Sequence, residues 1–171
     1  MFLGGLIMDR IKVQTTIHAD LRNVWKCYTD PEHIIGWAFA SNDWESPYAE
    51  NDVRVGGKFL TRMRAKEESK ESGSAFDFTG TYTDIVEFEK IACTMDDILE
   101  TGSGRKCVVL FKDLGDGKTL VSTEFDPETV NSRELQRVGW QAILDNFKKY
   151  AESLPHSRKG KDNSPDKGQL V

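Results

Sequence analysis

Cysteine is scarce in this sequence, and its arrangement excludes the devices it usually supports. Cys27, Cys93 and Cys107 are widely spaced, odd in number and form no CxxC. A zinc ribbon and a thioredoxin-like motif are therefore excluded. Free thiols suit a reducing compartment, so a cytoplasmic location is expected. Histidine is as sparse: His18, His33 and His156 stand far apart, and neither a metal site nor a cofactor is expected. No GxSxG elbow, HExxH pair or P-loop pattern occurs, which removes the local signatures of three large enzyme classes. No apolar run nears the roughly 20 residues of a membrane-spanning helix. Basic charge is in deficit, with 23 Lys+Arg against 28 Asp+Glu. The net charge of −5 argues against nucleic acid and anionic membranes as partners, since both favour basic surfaces. No internal repeat is visible.

What is present is a chain of 171 residues, enough for one ordinary domain. A domain of this size buries roughly 70% of its unfolded surface, so no disulfide or metal is needed to hold it. Nine Phe, four Tyr and four Trp make it rich in rings, and where those rings go is the central question. The ends differ from the body. Met1–Ile7 is apolar but lacks the basic start and longer core of a signal peptide, so residues 1–9 read as a flexible extension, with Met8 an alternative start. Residues 155–171 are rich in Lys, Gly, Ser, Asp and Pro and read as a disordered tail, or as a docking peptide.

The body begins with Ile11, Val13, Thr15 and Ile17 alternating with polar residues, a half-buried strand. Asp20 suits a helix N-cap, and Leu21, Val24, Trp25 and Tyr28 follow at helical spacing. Asp30-Pro31 opens a second short helix, which Gly36 ends or bends. The pattern then turns to β: a short strand over 42–48, a Gly56-Gly57 turn, and an alternating strand over 58–66. A charged loop over 66–74 leads to a long strand over 76–88, with Phe76, Phe78, Tyr82, Val86 and Phe88 on one face. Gly80 interrupts that face and predicts a bulge or a close approach. Strands over 90–95, 105–112 and 119–125 follow, with a Thr-Gly-Ser-Gly loop over 96–104. A long helix over 132–154, capped by Asn131 or Ser132, carries an apolar stripe of Leu135, Gly139, Ile143, Phe147, Tyr150 and Leu154. Trp140 and Leu144 widen it, and Gly139 predicts close packing. A stripe this broad must cover a large apolar surface, such as one face of a sheet. The class is α+β, with the long helix laid across a curved antiparallel sheet of about six or seven strands.

Several runs in this order resemble the activator of Hsp90 ATPase homologue 1-like family of the START/Bet v 1-like superfamily. They are Val24-Trp25, Thr29-Asp30-Pro31-Glu32-His33-Ile34 through Trp37, and Asp43-Trp44. Asn51 to Phe59, Phe78-Thr79-Gly80-Thr81-Tyr82 and Gly139 to Leu144 complete them. The resemblance spans residues 10–154 and implies a helix-grip fold. Small relatives of this kind hold apolar molecules under the long helix, and a few superfamily members are cyclases or hydrolases of polyketide-like compounds. The co-chaperone that gives the family its name carries a further N-terminal domain. Its NxNNWHW motif is missing here, so the resemblance covers the C-terminal type of domain.

These readings converge on a space between sheet and helix. Trp37, Trp44, Phe59, Met63, Phe78, Tyr82, Trp140, Ile143 and Phe147 are the candidate ligand-binding residues. A filled core accounts for any one of them taken singly. The excess of Trp and Tyr, whose polar tips need partners when buried, tilts the reading toward a lined cavity. Noncatalytic binding of an apolar or aromatic small molecule is the expectation. Activation of an Hsp90-type ATPase and a cyclase- or hydrolase-like activity, both implied by the resemblance, are the alternatives. For catalysis the residues offer little. Asp43, Glu45, Asp52 and Arg54 read as a solvated set around the turn, and Glu124 as an outward-facing carboxylate.

Overall fold

A computed structural model gives the structure of the chain and describes residues 9–96 and 104–155. The expected extension before Asp9, the body of the Thr-Gly-Ser-Gly loop and the tail from residue 156 lie outside the described residues. The elements run β1 (Ile11–Ile17), α1 (Leu21–Thr29), α2 (Pro31–Ile34), β2 (Trp44–Asn51), β3 (Lys58–Ala65), β4 (Ala75–Val86), β5 (Lys90–Met95), β6 (Lys106–Gly115), β7 (Lys118–Phe125) and α3 (Arg133–Ser153). The strands form one antiparallel sheet in the order β1-β7-β6-β5-β4-β3-β2. Consecutive strands pair through hairpins, except that β1 crosses to lie beside β7. The α+β class expected from the element order and the helix-grip fold implied by the family resemblance are the ones observed. Among the described residues no helix is long and apolar enough to cross a membrane.

Local chemistry explains the helix starts. The Asp20 carboxylate accepts from the Asn23 N–H at 2.9 Å, and Asp30 does the same for Glu32 at 3.1 Å. Ser132 caps α3 by accepting from Leu135 N–H at 3.0 Å. Each cap satisfies a donor that the helix itself leaves orphaned.

Two sequence-based faces are corrected by the structure. In β4, the register against β5 slips between Tyr82 and Asp84. The extra residue inverts the alternation, so Ile85 packs on the core while Val86 is exposed. Phe88 falls in the following turn with a positive φ of 68°, not on the strand face. In α3, Leu135 is 58% exposed, and the buried residue of that first turn is Gln136. Its amide donates to the Glu128 and Asn131 carbonyls and accepts from the Glu128 N–H. The helix start is thus tied to the preceding loop and not to the sheet. A third irregularity lies in β2, where the register slips between Glu45 and Tyr48 around Pro47, which has no N–H to give the ladder.

The small residues behave differently from one another. A Cβ on Gly80 would lie 2.6 Å from the Phe59 ring and 2.6 Å from the Thr94 carbonyl oxygen. That is the close approach expected there, and the bulge lies further along the strand. A Cβ on Gly36 would meet the Tyr150 ring at 2.5 Å, so this glycine lets α3 close over the end of α2. Gly139, in contrast, has nothing within 4 Å of the added atom. The close packing expected of it is not there.

The placement of α3 creates the site. The helix is latched to the edge strand β1: Lys148 Nζ donates to the Thr16 carbonyl at 2.6 Å, and the Glu152 carboxylate accepts from the His18 N–H at 2.7 Å. Burial pushes the Glu152 carboxyl up, but the hydrogen bonds from Lys148 and His18 prevail and hold it below its ordinary value. The main contacts of α3 are with β1, with a smaller set to α1, and none of similar extent reaches β3 or β4. A helix leaning on one side of a curved sheet leaves a gap on the other.

Candidate functional site

That gap is a cavity of about 250 Å³. Its floor is built from two rows of residues that run across the strands. One row is Ile91, Val109, Thr123 and Val13, register partners from β5 through β6 and β7 to β1. The next is Tyr82, Cys93, Cys107, Phe125 and Ile11. Because side chains alternate between faces, partners in register share a face, and both rows point toward α3. The Trp140 indole lies flat on Phe125, with ring centroids 3.8 Å apart. That covers one end of the second row and leaves Tyr82, Cys93 and Cys107 facing the cavity. Phe59, Thr61 and Met63 of β3 and Phe78 of β4 form a side wall, and Trp37 and Ala38 close one end. Phe76 lines the cavity and is 41% exposed, so it stands at the rim.

Most polar atoms near the cavity are already paired. The Trp37 indole N–H donates to the Cys27 carbonyl at 2.9 Å. The Asn51 side chain donates to the Thr29 carbonyl at the end of α1, at 2.7 Å. Its oxygen accepts from the Tyr82 hydroxyl. This chain of bonds orients the Tyr82 ring and satisfies its hydroxyl. Burial pushes the Tyr82 phenol far up, with Cys93 adding to the effect and the Asn51 bond opposing it. Tyr28 is raised too, by burial first and then by Cys107, Tyr82 and Cys93. Both phenols are neutral at physiological pH. No Asp, Glu, His, Lys or Arg among the described residues lines the cavity. Its chemistry is that of an apolar chamber with a few hydroxyls and thiols.

Of the candidate residues, Trp37, Phe59, Met63, Phe78, Tyr82, Trp140 and Ile143 come together around this space. Trp44 and Phe147 are not among its lining residues. Trp44 sits on β2, packs against Phe76 and donates its indole N–H to Glu71 at 2.8 Å. Phe147 is fully buried and packs edge-on against Tyr28 and Trp37, joining α3 to the two short helices. The lining also includes Tyr28, which the helical spacing placed in the apolar face of α1, and the small residues Thr61, Thr123, Cys93 and Cys107, none of them among the candidates. For the strand residues the signal was present: Thr61 shares a face with Phe59 and Met63, two residues away on either side, and Cys93 with Ile91 and Met95. The acidic set near the turn is dispersed into surface ion pairs, Arg54 with Asp52 and Arg64 with Glu45. Glu124 occupies the outer face between buried Thr123 and Phe125.

No curated protein matches the chain. Several solved structures do. An AHSA1-like protein from Aeromonas hydrophila is 34% identical, with 90% of this chain and 99% of that one covered and a TM-score of 0.74. The protein Chr148 from Cytophaga hutchinsonii is 41% identical over 84% of this chain and 92% of that one, with a TM-score of 0.67. The Aha1 dimer from Colwellia psychrerythraea is 14% identical over 85% of this chain and 98% of that one, with a TM-score of 0.63, a likeness of fold alone. The family model for activator of Hsp90 ATPase homolog 1-like proteins matches residues 18–152. Together with the shared helix-grip architecture, that match places this chain in the activator of Hsp90 ATPase homologue 1-like family, within the START/Bet v 1-like superfamily.

Proposed function

We propose that residues 10–154 form a binding domain that holds a small apolar or aromatic molecule between the sheet and α3, without chemical conversion. The carrying observation is the cavity itself: about 250 Å³, ring-lined and, among the described residues, without a charged side chain. A dry cavity of about 150 Å³ accepts benzene, so the space here suits a ligand of one or two rings. Apolar walls with a few placed polar groups are the usual character of such sites. The buried Cys93 and Cys107 thiols, which face each other without a disulfide, support residence in a reducing compartment.

The test is titration with a naphthalene-based fluorescent probe, read by probe emission and by quenching of Trp140 and Trp37. The expected result is saturable binding at one site. Val109→Phe, which inserts a ring into the middle of the floor, should weaken binding about tenfold or more while the thermal transition persists. Absence of saturable binding by the folded protein, or binding indifferent to Val109→Phe, would overturn the reading. Family membership supports a coarser second reading, a chaperone partner. It is checked by adding the chain to the Hsp90-type ATPase of its own cell, where unchanged ATP turnover counts against it.

A further inference from the structure

Cys93 and Cys107 are direct partners in the β5–β6 register. Directly opposed residues on an antiparallel pair place their Cβ atoms only about 4.5–5.5 Å apart on one face. Both side chains line the cavity, and both cysteines are free. They are therefore a dithiol on the floor of an apolar chamber. A hydrogen bond from the Cys107 thiol outweighs burial and holds the Cys93 thiol below its ordinary value. The same bond, together with burial, pushes Cys107 up.

The surroundings narrow what such a pair can hold. Thiolates select soft acceptors. Structural zinc takes four protein ligands, and among the described residues no group of three or more His, Cys, Asp or Glu is placed to hold a metal. A monovalent soft metal held by two thiolates keeps a net negative charge. Among the described residues no Lys or Arg lines the cavity, and Arg10 and Arg105 act on Cys107 from outside it without overcoming burial, so that charge would be costly to bury. A trivalent arsenic atom that bears one organic group needs only two sulfurs, and the product is neutral. Its organic group also requires an apolar space beside the sulfurs, which the rings of Phe59, Phe78, Tyr82 and Trp140 enclose.

We propose that Cys93 and Cys107 form a capture site for a monosubstituted trivalent arsenical, R–As(OH)₂, with the group R lying in the cavity. Each thiol proton leaves with one arsenic hydroxyl as water. Two As–S bonds replace two As–O bonds, arsenic stays trivalent, and no oxidant or reductant is consumed. The proposal rests on the ligand-binding reading for entry of the organic group, and on the two thiols for the rest.

Phenylarsine oxide is the probe, added to the full chain in the presence of excess glutathione and read by mass spectrometry of the intact protein. One adduct is expected, heavier by one phenylarsenic unit less two hydrogens, with Cys93 and Cys107 protected from alkylation when the adduct is denatured and Cys27 not. Closure onto the second thiol is intramolecular, so Cys93→Ser or Cys107→Ser should weaken capture by about 10²-fold or more. Cys27→Ser should leave it unchanged. Cys93→Ala and a thermal melt of each variant separate loss of the site from loss of the fold. Absence of an adduct on the wild-type chain, an adduct that survives glutathione in the single-thiol variants, or an adduct mapped to Cys27 overturns the proposal. If the naphthalene probe binds while phenylarsine oxide does not, the arsenical site alone is lost; if neither binds, both readings fall.

Discussion

One methyl group added at Gly80 and one added at Gly139 should move stability in opposite directions. At Gly80 the new atom would sit 2.6 Å from both the Phe59 ring and the Thr94 carbonyl oxygen, against the roughly 3.5–4.0 Å of a comfortable contact. The Phe59 ring has somewhere to go, since the cavity lies beside it. The Thr94 carbonyl does not, because β5 is paired on both edges. Such overpacking costs about 1–3 kcal/mol, and a paired backbone atom that cannot yield puts this site in the upper part of that range, about 2–3 kcal/mol. Lower freedom of the unfolded chain returns about 0.5–1 kcal/mol, leaving a net loss of about 1–2.5 kcal/mol. For a chain of this length each kcal/mol moves Tm by about 2–4 °C, so Gly80→Ala should melt about 2–10 °C lower. At Gly139 the methyl meets nothing within 4 Å, and the position is inside a helix. Ala is favoured there by about 0.8–1.0 kcal/mol, so Gly139→Ala should melt about 2–4 °C higher. Scanning calorimetry and urea titration of the two variants check both signs. Gly80→Ala should also weaken the naphthalene probe by turning Phe59 into the cavity, while Gly139→Ala should not. A Gly80→Ala protein as stable as wild type, or a destabilised Gly139→Ala, would refute the packing argument.

Gln136→Ala should cost about 1–3 kcal/mol, because the Glu128 and Asn131 backbone groups lose the buried amide that satisfies them; the thermal transition reports the loss, and faster hydrogen exchange at Glu128 locates it. Burial pushes the Cys27 thiol up to about 11, Lys26 opposing and Asp30 adding to it. At pH 8 about one such thiol in a thousand is ionised, so alkylation of native Cys27 should be far slower than in the denatured chain and should accelerate only as pH nears 11. The folded state holds this proton more tightly than the unfolded one. The stabilisation from this group is therefore complete below the ordinary thiol value of 9.0 and declines as pH rises toward 11; native labelling at the denatured rate at pH 8 would contradict the burial.

Period-based reading located the inner faces wherever the strands are regular. Phe59, Thr61 and Met63 on β3, and Ile91, Cys93 and Met95 on β5, face inward as their alternation requires. It failed where one residue breaks the period. The slip after Tyr82 sends Ile85 inward and Val86 outward, and nothing local in Thr83 announces it. It failed again at Leu135, since an apolar stripe continues past the point where the sheet stops supporting it.

The caps, the faces of the regular strands, the α+β class and the family runs were determined by the sequence, because each depends on residues a few positions apart. Whether the rings meet or leave a gap was decided only in three dimensions. Alternation says that Tyr82 and Trp140 point toward a common interior, but not how far apart their surfaces lie. That distance is set by where α3 is anchored, through Lys148 and Glu152 on β1 and through Tyr150 against Gly36. The meeting of Cys93 with Cys107 is likewise a matter of register between β5 and β6. Sequence shows two thiols 14 positions apart; only the paired strands make them neighbours on the floor of a cavity.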